Sequence, residues 1–315
     1  MTGPLTGVWL SDVFDLAQEY GALLDGSDVL RMYAPEDVPD PAEVRFAVCW
    51  RPGEGAFTPY PNLGLAMTIA AGVDGLIDHP DLLPDVPVAR IRDPHQAAMM
   101  AGYVAHEVLH HVRGFGTLER HARQGLWQRV PLSAPGATVI AVLGHGSMGR
   151  AVAAALTALG FTVRVACRSV PEAPLDGVEY LTGQDAIFRA ADGAGILVNV
   201  LPLTAETENV LNAELFARLR PGAWLIQIGR GQHMDEAAFD AALDAGQLSG
   251  ATLDVFRTEP LPPSHPYWQD ERLRITPHIA SDTLPEVVAE QVIETVTALR
   301  DGGPMRLATD RSRGY

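Results

Sequence analysis

Short apolar runs bounded by Pro or Gly punctuate the first hundred residues: RFAVCW (45–50), LGLAMTIAAG (63–72) and VPVARIRD (86–93). They are continuous rather than alternating, which is the pattern of strands buried on both faces of a parallel sheet. After Pro94 the period changes. HQAAMMAGYVAHEVLHHVR (95–113) has no breaker apart from Gly102 and reads as one helix ending near Gly114, a bridge between two domains. Residues 125–137 read as a loop, and a second strand series follows: ATVIAVL (137–143), TVRVAC (162–167), AGILVNVL (194–201), AWLIQIG (223–229), ATLDVF (251–256) and LRITPH (273–278). Helical stretches separate several of these runs, and LPEVVAEQVIETVTALRDG (284–302) is helical again, returning to the first domain. Strand-helix alternation of this kind predicts α/β architecture with doubly wound parallel sheets, ligands binding at the carboxyl ends of the strands.

Composition narrows the chemistry. The 315 residues have room for two domains, each with its own core. Only two cysteines occur, Cys49 and Cys167, and no basic leader opens the chain, so a cytoplasmic location is expected. No run approaches the ~20 apolar residues of a membrane span. A formal charge of −16 argues against nucleic acid and anionic membranes as partners, because the field repels polyanions. All 23 basic residues are arginine. The lack of lysine removes Schiff-base chemistry, P-loop phosphate sites and the β-hydroxyacid dehydrogenases, which share the Rossmann fold but use a catalytic lysine.

Directly after an apolar β run and at the start of an Ala-rich helix, Gly144, Gly146 and Gly149 form GxGxxG, with Ser147 and Met148 between the last two. The first glycine allows a tight turn, the second lets backbone approach a pyrophosphate, and the third lets helix pack on strand. The amides of the helix start face the phosphates. Where an NAD site carries an acidic residue about 20 positions on, this chain has Cys167, Arg168 and Ser169. A carboxylate repels a 2′-phosphate, whereas a guanidinium and a hydroxyl can bind it, so NADP(H) is the expected cofactor.

Three later strand ends each deliver one polar residue: Arg230 in QIGRGQ, Glu259 in LDVFRTEPLPP and His278 in ITPHIAS. With AAGVD (70–74), LPLTAET (201–207), GRG (229–231), HPYW (265–268) and TPHIAS (276–281), the chain resembles the D-isomer-specific 2-hydroxyacid dehydrogenase family over essentially its whole length. Within that family it is most similar to the bacterial glyoxylate/hydroxypyruvate reductases of the A type, on Trp50, LDVFRTEPLPP and the terminal DRSRGY (310–315).

The resemblance implies a Rossmann cofactor domain (103–283) inserted into a flavodoxin-like substrate domain (1–102 and 284–315). It also implies a homodimer and hydride transfer from a nicotinamide to a small 2-oxo acid. His278 is then the proton donor, Glu259 hydrogen-bonds its other ring nitrogen, and Arg230 binds the carboxylate and polarises the carbonyl. Backbone amides of Gly72 and Val73 complete the carboxylate site, with Trp50, Met99, Tyr103 and Trp268 as further pocket candidates. The cofactor is lined by Leu201, Pro202, Thr207, Ile228, Gly229 and Ala280, and Asp254 holds the nicotinamide carboxamide. The two domains close over the substrate about a hinge near 94–114 and Thr283. One departure tempers cofactor choice. The A-type reductases follow their Arg-Ser with further basic residues, and this chain has Val170 and Pro171, which leaves NAD(H) use open.

Two other readings compete. HEVLH (106–110) is a literal HExxH, the zinc pattern of metallopeptidases. The extended metzincin pattern fails, with Arg113 and Gly116 in place of Gly and His, although Glu119 is a possible third ligand. The other is a non-enzymatic NAD(P)-sensing relative, against which the intact Arg230, Glu259 and His278 argue. No metal is expected.

Overall fold

The computed structural model describes residues 3–310, so the terminal motif DRSRGY lies, apart from Asp310, outside the described residues. In chain order the elements are β1 (Leu5–Ser11), α1 (Leu16–Leu24), β2 (Leu30–Tyr33), β3 (Val44–Trp50), β4 (Leu65–Thr68), α2 (Asp74–Ile77) and β5 (Val88–Ala89). Then come α3 (Gln96–Val112), α4 (Phe115–Arg123), β6 (Val139–Leu143), α5 (Ser147–Ala158), β7 (Thr162–Ala166), β8 (Val178–Leu181), α6 (Ala186–Ala191) and β9 (Ile196–Asn199). The chain continues through α7 (Ala213–Arg218), β10 (Ala223–Gln227), α8 (Glu236–Asp244), β11 (Leu248–Leu253), β12 (Leu273–Ile275) and α9 (Pro285–Asp301).

Two compact units result, one of residues 1–95 with 282–315 and one of residues 96–281. The first holds a parallel sheet ordered β2-β1-β3-β4-β5, the flavodoxin order. One face packs Trp9, Phe46, Val48 and Met67 against Leu16, Tyr20, Val288 and Val292 of α1 and α9, and the other packs Val8, Ala47, Cys49 and Ala66 against Leu76 and Ile77. Both faces are buried, which is why these strands read as unbroken apolar runs.

The second unit holds seven parallel strands ordered β12-β11-β10-β9-β6-β7-β8. Counted from β6, this is the Rossmann order with one added strand beyond it, and the order reverses between β6 and β9. Successive residues of β6 go to opposite cores: Ile140 and Val142 pack with α3 and α5, while Ala141 and Leu143 pack with α6, α7 and α8. The two doubly wound parallel sheets expected from the sequence are the ones observed.

Three strands were not legible. β1 is interrupted by Gly7, where a Cβ would run into the Phe46 ring and lie 2.7 Å from the Met32 sulfur, so the glycine serves close packing. β2 and β8 are short edge strands with polar residues, LRMY and VEYL. Where one helix was expected to end near Gly114, that residue takes a left-handed φ of 62° and a further amphipathic helix, α4, follows it. Among the described residues no helix is long and apolar enough to cross a membrane.

Candidate active site

The fingerprint forms the turn from β6 into α5. Gly144 adopts φ +105°, a region closed to most side chains, and a Cβ there would lie 3.1 Å from the Val200 carbonyl oxygen. At Gly149 a Cβ would run into the carbonyl of Gly144, so helix and turn close together only with glycine. A Cβ at Gly146 meets nothing within 4 Å, which is the open side of the loop. The first helical bond is Arg150 N–H to the Gly146 carbonyl at 2.9 Å, so the amides of Ser147, Met148 and Gly149 have no acceptor within the helix. These features fit a dinucleotide pyrophosphate at the switch point of the sheet.

Arg168 and Ser169 are exposed just past the end of β7, as is Val170. The segment after them is pinned from α5 and β8: Arg150 Nη1 donates to the Ala173 carbonyl at 2.7 Å, and the Leu175 amide donates to the Tyr180 hydroxyl at 3.1 Å. His145, inside the fingerprint, lies 3.3 Å from that hydroxyl through Nε2. Burial and the charge of Arg150 push its imidazole below the usual histidine range.

The three catalytic candidates sit on loops that follow β10, β11 and β12. His278 Nδ1 is 2.8 Å from Glu259 Oε2, and Oε1 of the same carboxylate accepts the Phe256 amide at 2.8 Å. The side chain of His278 is 22% exposed against 11% for Glu259, so the ring is reachable and the carboxylate stands behind it. His278 has φ 58°, a strained region for a side chain. Asp254 holds it there. Its carbonyl accepts the His278 amide at 2.9 Å, and its buried carboxylate accepts the Thr276 hydroxyl (2.6 Å) and the amides of Ile279 (2.8 Å) and Ala280 (2.9 Å). The Tyr103 hydroxyl adds a 2.6 Å bond to Thr276 Oγ1.

Arg230 follows β10 in the GRG loop. Its Nη1 donates to the Gly229 carbonyl at 2.8 Å, and a Cβ at Gly231 would collide with the backbone of Phe256 and Arg257, so that glycine lets the Arg230 and Glu259 loops touch. Arg257 braces the same junction, donating to the Met234 carbonyl through Nε (3.1 Å) and Nη2 (2.8 Å) and pairing with Asn209 Oδ1. Thr207 donates to the Pro202 carbonyl at 2.7 Å and accepts the Thr204 amide at 2.9 Å, which shapes the loop carrying Leu201 and Pro202. Ile228 and Ala280 are buried in the core shared with α3 and α5. Trp268 donates to the Pro262 carbonyl at 2.9 Å, and Met99 is half-buried on α3.

In the first unit, Trp50 ends β3 with the Arg51 guanidinium 5.6 Å above its ring. The Ile69 amide bonds the Cys49 carbonyl at 3.1 Å, drawing the loop after β4 to the same sheet end. Arg90 Nη1 donates to the Ala71 carbonyl at 3.2 Å, and among the described residues the amides of Gly72 and Val73 have no acceptor.

HEVLH has a structural occupation. Glu107 follows Met100 and Val104 on the inward face of α3, where its carboxylate takes Arg274 Nε (2.7 Å) and Nη2 (3.1 Å) and the Thr252 hydroxyl (2.7 Å). Arg274 Nη1 also donates to His110 Nε2 at 3.1 Å. An arginine therefore occupies His110 Nε2, one of the two histidine ligands of the pattern, and the Glu107 carboxylate that would serve as its base, and the peptidase reading is set aside. Among the described residues no group of His, Cys, Asp or Glu is arranged to hold a metal.

Asn199, Gln227, His233 and Arg257 were missed. Asn199 and Gln227 carried a signal, being lone polar residues at the carboxyl ends of the apolar runs ILVN and AWLIQ.

Residues 105–280 match the model of the D-isomer specific 2-hydroxyacid dehydrogenase family's NAD binding domain. Glyoxylate/hydroxypyruvate reductase A of Yersinia enterocolitica is 38% identical over 275 residues, 86% of this chain and 87% of the relative. The D-isomer specific 2-hydroxyacid dehydrogenase of Xanthobacter autotrophicus Py2, solved with NADPH and MES, superposes with a TM-score of 0.86 at 39% identity over 100% of both chains. An NADPH-dependent glyoxylate/hydroxypyruvate reductase of Sinorhizobium meliloti, solved with NADP and sulfate, gives 0.88 at 28% identity over 99% of this chain and 100% of that one. With the dinucleotide turn, the His278–Glu259 pair and the Arg230 loop in one unit, these likenesses place the chain in the D-isomer specific 2-hydroxyacid dehydrogenase family.

Proposed function

We propose that the protein reduces a small 2-oxo acid, such as glyoxylate or hydroxypyruvate, to the 2-hydroxy acid with NADPH, His278 donating the proton. The observation that carries this reading is the His278–Glu259 pair. A carboxylate can only accept at Nδ1, so Nδ1 carries a proton and the exchange with substrate falls to Nε2. Glu259 stabilises the imidazolium that the reaction consumes and regenerates. Arg230 pairs with the substrate carboxylate through its planar fork and polarises the neighbouring carbonyl. In the other unit, taken by itself, the amides of Gly72 and Val73 are donors available to a carboxylate.

Ser147, Met148 and Gly149 present amides to the pyrophosphate, and Arg168 with Ser169 binds the 2′-phosphate. Leu201, Pro202, Thr207, Ile228, Gly229, Asp254 and Ala280 complete the cofactor-facing set. Bound there, the nicotinamide supplies the hydride. NADH as a second cofactor is favoured by Val170 and Pro171, which add no charge to the Arg168 loop. Residues 96–281 form the cofactor domain in this reading and the other unit the substrate domain. A homodimer, which the family resemblance implies, and a cytoplasmic location belong to the same proposal.

The test is a kcat/KM panel of small 2-oxo acids with NADPH and with NADH. Glyoxylate or hydroxypyruvate should lead with NADPH, and no turnover of any 2-oxo acid would remove the proposal.

A further inference from the structure

Beneath the Arg230 loop lies a buried polar cluster that the proposed chemistry leaves without a task. Asn199 ends β9, Gln227 ends β10 and His233 closes the 3-10 turn Gly231–His233, and all three are 0% exposed. Main-chain groups fix the sense of each bond. The Arg230 amide donates to His233 Nδ1 at 3.0 Å, and the Asn199 side-chain amide, another donor, lies 3.0 Å from the same nitrogen. Nδ1 is therefore the bare nitrogen. The proton sits on Nε2, which donates to the Pro202 carbonyl at 3.2 Å.

Gln227 holds the other end of the residue that matters. Its Nε2 donates to the Arg230 carbonyl at 2.8 Å, and its Oε1 accepts Asn199 Nδ2 at 2.8 Å and the Gly229 amide at 3.3 Å. Asn199 Oδ1 accepts the Leu201 amide at 3.3 Å. Gly229 is the residue that makes room, since a Cβ there would lie 2.7 Å from His233 Nδ1 and 2.9 Å from Asn199 Nδ2.

We propose that His233 is a positioning residue that joins the Arg230 loop to the Pro202 carbonyl, so that the substrate-carboxylate seat and the cofactor-lining 201–202 segment are held as one unit. The inference rests on the reading of Arg230 as carboxylate binder and of Leu201 and Pro202 as cofactor-lining. An imidazole suits the task because its two nitrogens, at opposite ends of a rigid ring, accept from one loop and donate to another. An amide reaches only one of them: Asn places its polar end near Nδ1, Gln near Nε2. Each lost tether leaves a buried group unsatisfied, which displaces the loop it held.

The experiment measures NADPH affinity without substrate by fluorescence titration, together with kcat and KM for glyoxylate, in the wild type, His233→Asn, His233→Gln and Arg230→Ala. His233→Asn keeps an acceptor for the Arg230 amide, so KM should stay within about threefold while the NADPH dissociation constant rises about tenfold, the effect of one buried hydrogen bond. His233→Gln keeps a donor for Pro202, so NADPH affinity should hold while KM rises about tenfold and kcat falls. The split between the variants is read, so a shared loss of stability cancels. If both constants move together in both variants, or neither moves, the proposal is overturned. An unchanged KM in Arg230→Ala would instead indict the reading of Arg230, and the substrate-free NADPH titrations keep the two failures apart.

Discussion

Nδ1 of His278 stands 2.8 Å from Oε2 of Glu259, while Oε1 of the same carboxylate is held by the Phe256 amide at 2.8 Å. The carboxylate thus has one oxygen fixed by backbone and the other fixing the ring. Glu259→Gln keeps the shape and removes the charge that stabilises the imidazolium. We expect kcat to fall about 10- to 100-fold with NADPH affinity within about twofold, since general-acid catalysis contributes 10²- to 10⁴-fold and only part depends on the partner. Steady-state kinetics with a binding titration checks this, and an unchanged kcat would remove Glu259 from the machinery.

Arg230 is held by its own loop, with Nη1 on the Gly229 carbonyl. A group that binds the carboxylate and also stabilises charge on the carbonyl oxygen acts in both ground and transition states. Arg230→Ala should raise KM and lower kcat together, for a loss in kcat/KM of about 10²-fold or more. A change in KM alone would limit the residue to binding.

Arg168 is exposed at the end of β7 beside Ser169, on a segment pinned by Arg150 and Tyr180. Reversing its charge with Arg168→Asp should turn attraction for a 2′-phosphate into repulsion and supply an acceptor for a ribose hydroxyl. The NADPH/NADH ratio of kcat/KM is expected to fall by about 10- to 100-fold, the scale of a charge-assisted hydrogen bond. An unchanged ratio would make the arginine a bystander.

Much of this is legible in the sequence. Parallel strands buried on both faces leave continuous apolar runs, so the central strands stood out, while LRMY and VEYL lie at sheet edges and look like loop. GxGxxG, Arg230, Glu259 and His278 stood out as isolated polar or glycine positions at strand ends. HEVLH admits a rival zinc reading because a helix pattern records which residues share a face and not what meets them. The partner of Glu107 is Arg274, more than 160 residues later on β12. Arg230's support is hidden in part likewise: Gln227 and His233 flank it in sequence, but Asn199 lies 28 and 34 residues from them, and only the loops' close approach shows why the three are polar.

The Glu107–Arg274 pair makes a stability prediction with a definite sign. Burial alone would raise the Glu107 carboxyl, but hydrogen bonds from Arg274 and Thr252 outweigh it and hold the group below its ordinary range. The unfolded chain then takes up the proton first as pH falls, so the stabilisation is present at neutral pH and lost below about pH 4. Glu107→Gln should cost about 2–3 kcal/mol at pH 7, less than a fully enclosed pair because Arg274 is partly exposed. Thermal unfolding at pH 7 and pH 3.5 checks it: the gap in Tm between wild type and variant should narrow at the lower pH, and a gap that persists would contradict the assignment.

The central claim is proton donation by His278 during NADPH-dependent reduction, and NADPH consumption by wild type and His278→Ala with glyoxylate or hydroxypyruvate, each with EDTA, tests it most directly. The account predicts chelator-insensitive turnover in the wild type and a loss of at least about 10²-fold in the variant, with NADPH affinity retained. A near-native rate in His278→Ala, or wild-type protein that leaves NADPH untouched, would contradict it.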